Sequence, residues 1–440
     1  MSNPTESCDD HDFQNGRAHQ VAALLVVVMT GSWMSTVSAD PFSFSACDEA
    51  TACDAPPAPS EHCCDDFLSC LADSGVRFGG NLTQFYFGTA DGGAEQTDRY
   101  GGHGDYVANF DLGALGLHEG LLLKVRAEHR FGRSITEPTG AILPATTAAD
   151  LPVRDSRELV LSNVLFTQFL SEQFAVFAGK LDTLDGDQNA YASGRGITQF
   201  SNVAFVATPI ALRTIPYASL GCGFAILDGA EPIFNFTLMN PTDTVETDGF
   251  SELFAEGVAI AAELRVPTNL FSRPGHQLLA ATWSSREFVA LDQDPRIILP
   301  SIPIEREEGS WSAYWNMDQA LWVDDADATR HWGMFARAGL ADRATNPISY
   351  FLSGGIGGAS PLRVGDTFGI GYFFSGTSND IAPFLEAVLG PIGDGQGVEC
   401  FYQTQISPSI SVTPDVQWLS QARSNLDDAI VLGIRTNISF

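Results

Sequence analysis

Between residues 121 and 131 the charges fall at every second position. Lys124, Arg126, Glu128 and Arg130 share one face of an extended segment, and Leu123, Val125, Ala127, His129 and Phe131 share the other. A guanidinium can donate two parallel hydrogen bonds to neighbouring hydroxyls, and the apolar face of a sugar ring can lie against an aromatic ring. Aromatics suited to that second task are Tyr314 and Trp322, on a face with Ser312, Asn316 and Asp318, and Phe401, on a face with Glu399 and Gln403. Arg337 adds a further guanidinium beside His331 and Phe335. Such a set suits weak binding of uncharged, hydroxylated molecules. The sequence contains no Gly-x-Ser-x-Gly elbow, no His-Glu-x-x-His pair and no phosphate-binding glycine loop, so no enzyme and no cofactor are expected. A membrane-embedded hydrolase working with paired carboxylates is the minor alternative, since such pairs are recognised by geometry.

Asp182, Asp185, Asp187 and Asn189 form an acidic cluster just beyond Gly179-Lys180. Oxygen ligands at alternating positions suit calcium, but the glycine and the final glutamate of an EF-hand loop are out of register. A solvated acidic loop is therefore expected, and no metal. If that loop folds into a channel as a constriction, Arg195 is placed to pair with one of its carboxylates.

The elements that must carry these residues read as β-strands. At the C-terminal end, Ile430, Leu432, Ile434, Thr436, Ile438 and Phe440 oppose Ala429, Val431, Gly433, Arg435, Asn437 and Ser439, a period of two with one apolar side. Val398, Cys400, Tyr402, Thr404 and Ile406, then Ile410, Val412, Pro414, Val416 and Trp418, repeat the pattern. Earlier runs are expected over 76–87, 105–112, 121–131, 158–170, 174–181, 200–206, 218–227, 233–239, 253–266, 277–291, 311–323, 331–340, 348–356 and 367–374. That makes seventeen, and a closed up-and-down barrel of one bacterial chain needs an even number, so one run is not a strand. The connections 134–156, 182–198 and 292–309 are rich in Pro, Asp and Gly and read as exposed loops.

Each long strand can cross a bilayer when tilted, for which about 9 to 11 residues suffice. Four charges on one face would be severely penalised in a dry core, so that face belongs to water. Two architectures satisfy this, a soluble sandwich with charges outside or a membrane barrel with charges around a lumen. The strand that ends flush on Phe440 favours the barrel.

The 440 residues carry a net charge of −31. So acidic a chain would repel nucleic-acid phosphates, and acid at the mouths of a pore favours cations and neutral solutes over anions. Residues 21–34 form the one continuous apolar segment, preceded by Arg17 and followed by Val37-Ser38-Ala39, which reads as a signal peptide over 1–39. Residues 40–74 are cysteine-rich, with Cys47, Cys53, Cys63, Cys64 and Cys70. Outside the cytoplasm disulfides are expected of them, and zinc spacing is lacking. A short helix fits 65–72. The remainder, 75–440, reads as one domain.

Several stretches resemble a known family. The run Gly393-Asp394-Gly395-Gln396-Gly397-Val398-Glu399, then Ile406-Ser407-Pro408 and Thr413-Pro414-Asp415-Val416-Gln417, resembles the C-terminal signature of carbohydrate-selective porins of the OprB type. Gly179-Lys180-Leu181-Asp182-Thr183 and the Gly369–Gly376 strand resemble two further motifs of that family. The likeness covers about 67–440 and departs in lacking a Gly-Asp-Trp-Gly-Gly run before the first strand. It implies an all-β fold, a closed antiparallel transmembrane barrel of about sixteen strands behind a short cysteine-rich segment. It also implies an outer-membrane porin for passive diffusion of sugars and small hydrophilic solutes. The pore lining is expected from Lys124, Arg126, Glu128, Arg130, Asp182, Arg195, Tyr314, Trp322, Arg337, Glu399 and Phe401. Partners would be sugars, outer-membrane lipids and the barrel-assembly machinery acting through the C-terminal strand, with a homotrimer as one arrangement. A secreted all-β carbohydrate-binding protein is the alternative.

Overall fold

A computed structural model describes residues 67–154, 156–293, 303–381, 383 and 392–440. The signal peptide and four cysteines of the N-terminal segment, Cys47, Cys53, Cys63 and Cys64, lie outside these residues. Cys70 is disulfide-bonded. It sits in α1 (Phe67–Asp73), directly before the first strand.

Sixteen strands follow among the described residues: β1 (Val76–Gly93), β2 (Asp98–Asp111), β3 (Leu121–Gly132), β4 (Val160–Ser171), β5 (Phe174–Asp182), β6 (Ala218–Asp228), β7 (Glu231–Met239), β8 (Ala259–Leu270), β9 (Arg273–Val289), β10 (Arg306–Val323), β11 (His331–Ala341), β12 (Ile348–Ala359), β13 (Thr367–Thr377), β14 (Gly395–Ser407), β15 (Ile410–Ser420) and β16 (Asp427–Ser439). Each pairs antiparallel with its sequence neighbours, and β1 pairs with β16 to close the ring. At that seam Gly80 and Phe440 exchange backbone hydrogen bonds, 2.9 Å from the Gly80 N–H and 3.1 Å from the Phe440 N–H. A closed ring leaves no edge, and so satisfies every strand's backbone without water.

Two-residue turns join β4 to β5, β6 to β7, β8 to β9 and β14 to β15 at the end where the chain enters and leaves. The long connections 133–159, 183–217 and 240–258 all lie at the other end.

The side chains sort by face. On β9, Leu279 and Trp283 are 57% and 44% exposed, whereas Leu278, Ala280, Thr282 and Ser284 between and beside them are buried. Leu264, Leu340, Leu352 and Ile434 continue the exposed apolar belt around the wall. That belt faces hydrocarbon in a barrel of this kind and has no function on a soluble sandwich. The sandwich alternative is therefore set aside.

The inner faces are less uniformly polar than the alternation suggests. Phe335, Phe351, Phe373 and Phe401 point inward from β11 to β14, Phe85 and Phe87 from β1, and all are buried. What buries them is chain from the long connections. Phe200, Phe205 and Ile210 of 183–217 and Ala145 and Ala148 of 133–159 join them in one apolar cluster inside the barrel. Phe200 lies 4.6 Å from Phe205 and 4.9 Å from Phe401, ring centre to ring centre.

The structure departs from three expectations. Residues 200–206 are not a strand: the last four form a single helical turn, α2 (Val203–Val206), inside the barrel, capped by the Asn202 side chain accepting from the Ala204 N–H at 3.0 Å. The run looked like a strand because its apolar residues are buried all round by the lumen contents rather than on one side. Connections 134–156 and 182–198 are not exposed loops but fold inward. Finally, Trp322 leaves the lumen. β10 shifts register between Ala320 and Trp322, so Trp322 pairs with Trp332 on the outer face while Tyr314, Asn316 and Asp318 before the shift face in.

Introducing Arg at Leu279, near the middle of β9 on the outer face, should lower unfolding free energy by about 2–4 kcal/mol in lipid vesicles. Urea titration of the refolded barrel measures this, and a neutral result would mean that the belt does not face lipid.

Candidate functional site

The charged face of β3 points inward and meets the loop 183–217 across the lumen. Arg126, fully buried, holds three carboxylates: Asp182 at 2.7 Å, Asp185 at 2.8 Å and Asp105 of β2 at 3.2 Å. Lys124, one step towards the short turns, reaches Asp185 at 2.6 Å. Glu128, one step the other way, is 2.9 Å from Arg195, accepts from the Tyr217 hydroxyl at 2.5 Å and lies 3.2 Å from His103. Arg195 also reaches Asp182 at 2.9 Å and Asp185 at 3.5 Å. Three bases thus interlock with four acids from β2, β3, β5 and the loop.

The backbone around Arg195 is built to turn the side chain back to the wall. Gly194, Arg195 and Gly196 are consecutive left-handed residues, with φ of 69°, 54° and 76°. Glycine adopts this freely, but for Arg195 it costs about 1–2 kcal/mol. The ion pairs offset that cost.

The opposite wall grips the same loop. Arg337, buried, donates to the carbonyls of Ala192 (2.7 Å), Phe205 (3.0 Å) and Asp187 (3.3 Å), and its Nε lies 3.2 Å from the Asp187 carboxylate. Asp187 in turn accepts from Asn316 at 2.7 Å, and from the N–H and hydroxyl of Thr208 at 2.7 and 2.8 Å. Asn189 donates to Asn316 at 2.7 Å. Protein donors therefore occupy the oxygens considered for calcium. Glu399 accepts from the N–H groups of Ser201 (2.5 Å) and Asn202 (2.9 Å). Arg435 donates to the carbonyls of Gly196 and Gln199 at 2.9 and 2.5 Å. Tyr314 donates to Glu263 at 3.0 Å, and Arg130 is buried on β3 above Glu128.

The expected lining residues are thus brought together, Trp322 excepted, but around a loop rather than around open water. Arg126, Arg337, Glu399 and Phe401 are nearly inaccessible. Water reaches Asp185 (17% of the side chain), Lys124 (13%) and Arg195 (12%). Residues not singled out from sequence include Asp105, Tyr217, Glu263, Asp415 and Arg435. A lone arginine on the inner face of an otherwise small and polar β16 was a signal available for Arg435. Tyr217 lies in irregular chain and offered none.

Electrostatics keep the loop anchor ionised. Burial alone would raise the Asp185 carboxyl, but Arg126, Lys124 and Arg195 outweigh it and hold the group far below the usual carboxylate range. Burial likewise opposes the charge on Arg195, yet Asp182, Glu128 and Asp105 keep it protonated at any accessible pH.

A closed barrel with an apolar exterior and a charged loop within narrows the function to a membrane channel. The model of the carbohydrate-selective porin OprB family matches residues 95–440. The chain belongs to that family. Among solved structures, the high-pH structure of Pseudomonas putida OprB superposes with a TM-score of 0.73 at 17% identity, over 84% of this chain and 96% of that one. The low-pH structure of the same protein gives 0.51 at 15% identity, over 84% and 95%. Both likenesses support the fold. No curated protein matches the sequence. As an OprB-family porin the chain sits in the outer membrane and lets sugars diffuse passively across it. The family and the fold point to a channel rather than an enzyme.

Replacing Arg195 with Ala should leave the barrel folded but free the loop. Buried Glu128 and Asp182 lose a countercharge, worth about 3–5 kcal/mol when one partner of a buried pair is removed. Larger and noisier single-channel currents are expected, and unchanged current would refute the anchor. The lowered Asp185 group sets a pH window. A carboxylate with a depressed folded pKa contributes stability that is complete above its unfolded value, about 4, and is lost only as pH falls through the lower folded value. The hold of Asp185 on the loop should therefore be constant from neutrality to about pH 4, so that the current noise of an Asp185→Asn variant exceeds that of the unmodified protein by the same amount over that range and the two converge only in stronger acid.

Proposed function

We propose that sugar selection in this porin occurs where Lys124, Asp185 and Arg195 meet the water path, between the loop 183–217 and the β3 wall. The observation that carries the reading is Arg195 itself, held on an inward loop by Glu128 and Asp182 of the barrel wall at 2.9 Å each. A loop so fixed makes a narrow zone of permanent shape. Lys124 and Arg195 offer donors there, and Asp185 offers acceptor oxygens.

A hydroxylated solute can replace water at these groups one hydrogen bond at a time. Each replacement is nearly even in energy, so the solute binds weakly and leaves readily, as conduction requires. The buried members have another task. Arg126, Arg337 and Glu399 hold the loop in place, and Phe401 and Tyr314, buried under it, are not stacking platforms for a ring in transit. Selection in this reading rests on polar contacts and width rather than on aromatic stacking. We also assign β16, with its alternating apolar face ending at Phe440, as the segment read by the barrel-assembly machinery.

Exchanging Lys124 for Met keeps the length and removes the charge. Current block by added glucose in planar bilayers should weaken several-fold, with assembly judged by heat-dependent gel migration unchanged. Undiminished block would move the selective zone elsewhere.

A further inference from the structure

Five arginines of the described lumen lie against acid or are committed to the loop backbone. Arg126 touches three carboxylates and Arg195 four within 4.0 Å. Arg265 lies between Glu231 at 3.5 Å and Asp318 at 3.9 Å. Arg337 meets Asp187. Arg435 is linked to Asp415 through Ser201, whose hydroxyl accepts from the arginine at 2.9 Å and donates to the carboxylate at 3.2 Å.

A second feature lies directly above. The connection 240–258 contains Asp243, Glu246, Asp248, Glu252 and Glu256 and no lysine or arginine. Its Val245 packs with Tyr217, the residue that bonds both Arg195 and Glu128, so this acidic rim stands over the narrow zone. The base that reaches the rim is Lys180, which donates to the carbonyls of Val245 and Thr247 at 3.1 and 2.8 Å.

Resting on the sugar-channel reading, we propose that the pore selects among sugars by charge, passing neutral sugars and turning away sugar carboxylates and sugar phosphates. An anion entering past the connection 240–258 meets five carboxylates against the one ammonium of Lys180. It then reaches a zone where Lys124, Arg126 and Arg195 already face four acids, so neither guanidinium of that network is left to receive it. In a narrow passage with low-dielectric walls this repulsion is focused rather than screened. A neutral sugar of the same size feels neither term. Small cations enter more readily than small anions for the same reason.

The test uses the full-length protein in liposomes and planar bilayers. Osmotic swelling in glucose should be several-fold faster than in glucuronate, which keeps the ring and adds one carboxylate. The zero-current potential in a KCl gradient should report potassium as more permeant than chloride. Swelling at equal rates in the two solutes, or preference for chloride, overturns the proposal while leaving the sugar channel intact. Failure of glucose itself to enter would remove the channel reading and this inference with it. A triple variant, Glu246→Gln, Asp248→Asn and Glu256→Gln, should raise glucuronate entry and reduce potassium preference at unchanged glucose rate. If all three measurements stay as in the unmodified protein, the rim plays no part in selection.

Discussion

A charge inside a membrane protein must meet its opposite or leave, because neither lipid nor a packed interior solvates it. That constraint governs the interior of this barrel. Asp105, Glu128 and Asp182 are all buried, and each is tolerable only because Arg126 or Arg195 stands beside it. Arg195 comes from irregular chain. It fixes where the loop must go, and the loop in turn fixes where water can pass.

The second consequence is that the lumen is divided. Towards β11–β14 and β1 it is filled by an apolar cluster in which loop phenylalanines pack against wall phenylalanines, as in the core of a soluble domain. Towards β3 it keeps water against charged groups. Burying the aromatics supplies the non-directional stabilisation that holds the loop, and the ion pairs set its register. Gly433 shows how close the packing is. The ring of Phe87 lies across it, where any Cβ would collide.

Much of this was legible in the sequence. Period-two alternation located the sixteen strands, since a side-chain period of two is fixed by backbone geometry. The requirement for an even number signalled that one of seventeen runs was misread. Lys124, Arg126, Glu128 and Arg130 were correctly placed on one inner face because β3 is regular. Trp322 was misplaced because a bulge adds one residue and reverses every later face, and nothing in Ala320-Leu321-Trp322 announces it. The run 200–206 failed differently. Its surroundings are apolar on all sides, so alternation carried no information about a helix. Arg195 was seen as a candidate partner of the acidic loop, but its wall partner Glu128, 67 residues earlier, is a contact made by topology alone.

The loop leaves β5 and returns to β6, two neighbours in the ring, yet its handholds on the far side, Arg337, Glu399 and Arg435, belong to strands synthesised much later. Such long-range contacts form after the loop's own strands are made. A chain inserted only as far as β10 would hold its plug by the β3 wall and Asn316 alone, without the handholds of β11, β14 and β16. Closure of the ring and narrowing of the hole are thereby tied together in time, and the cell is spared a wide gap that admits everything.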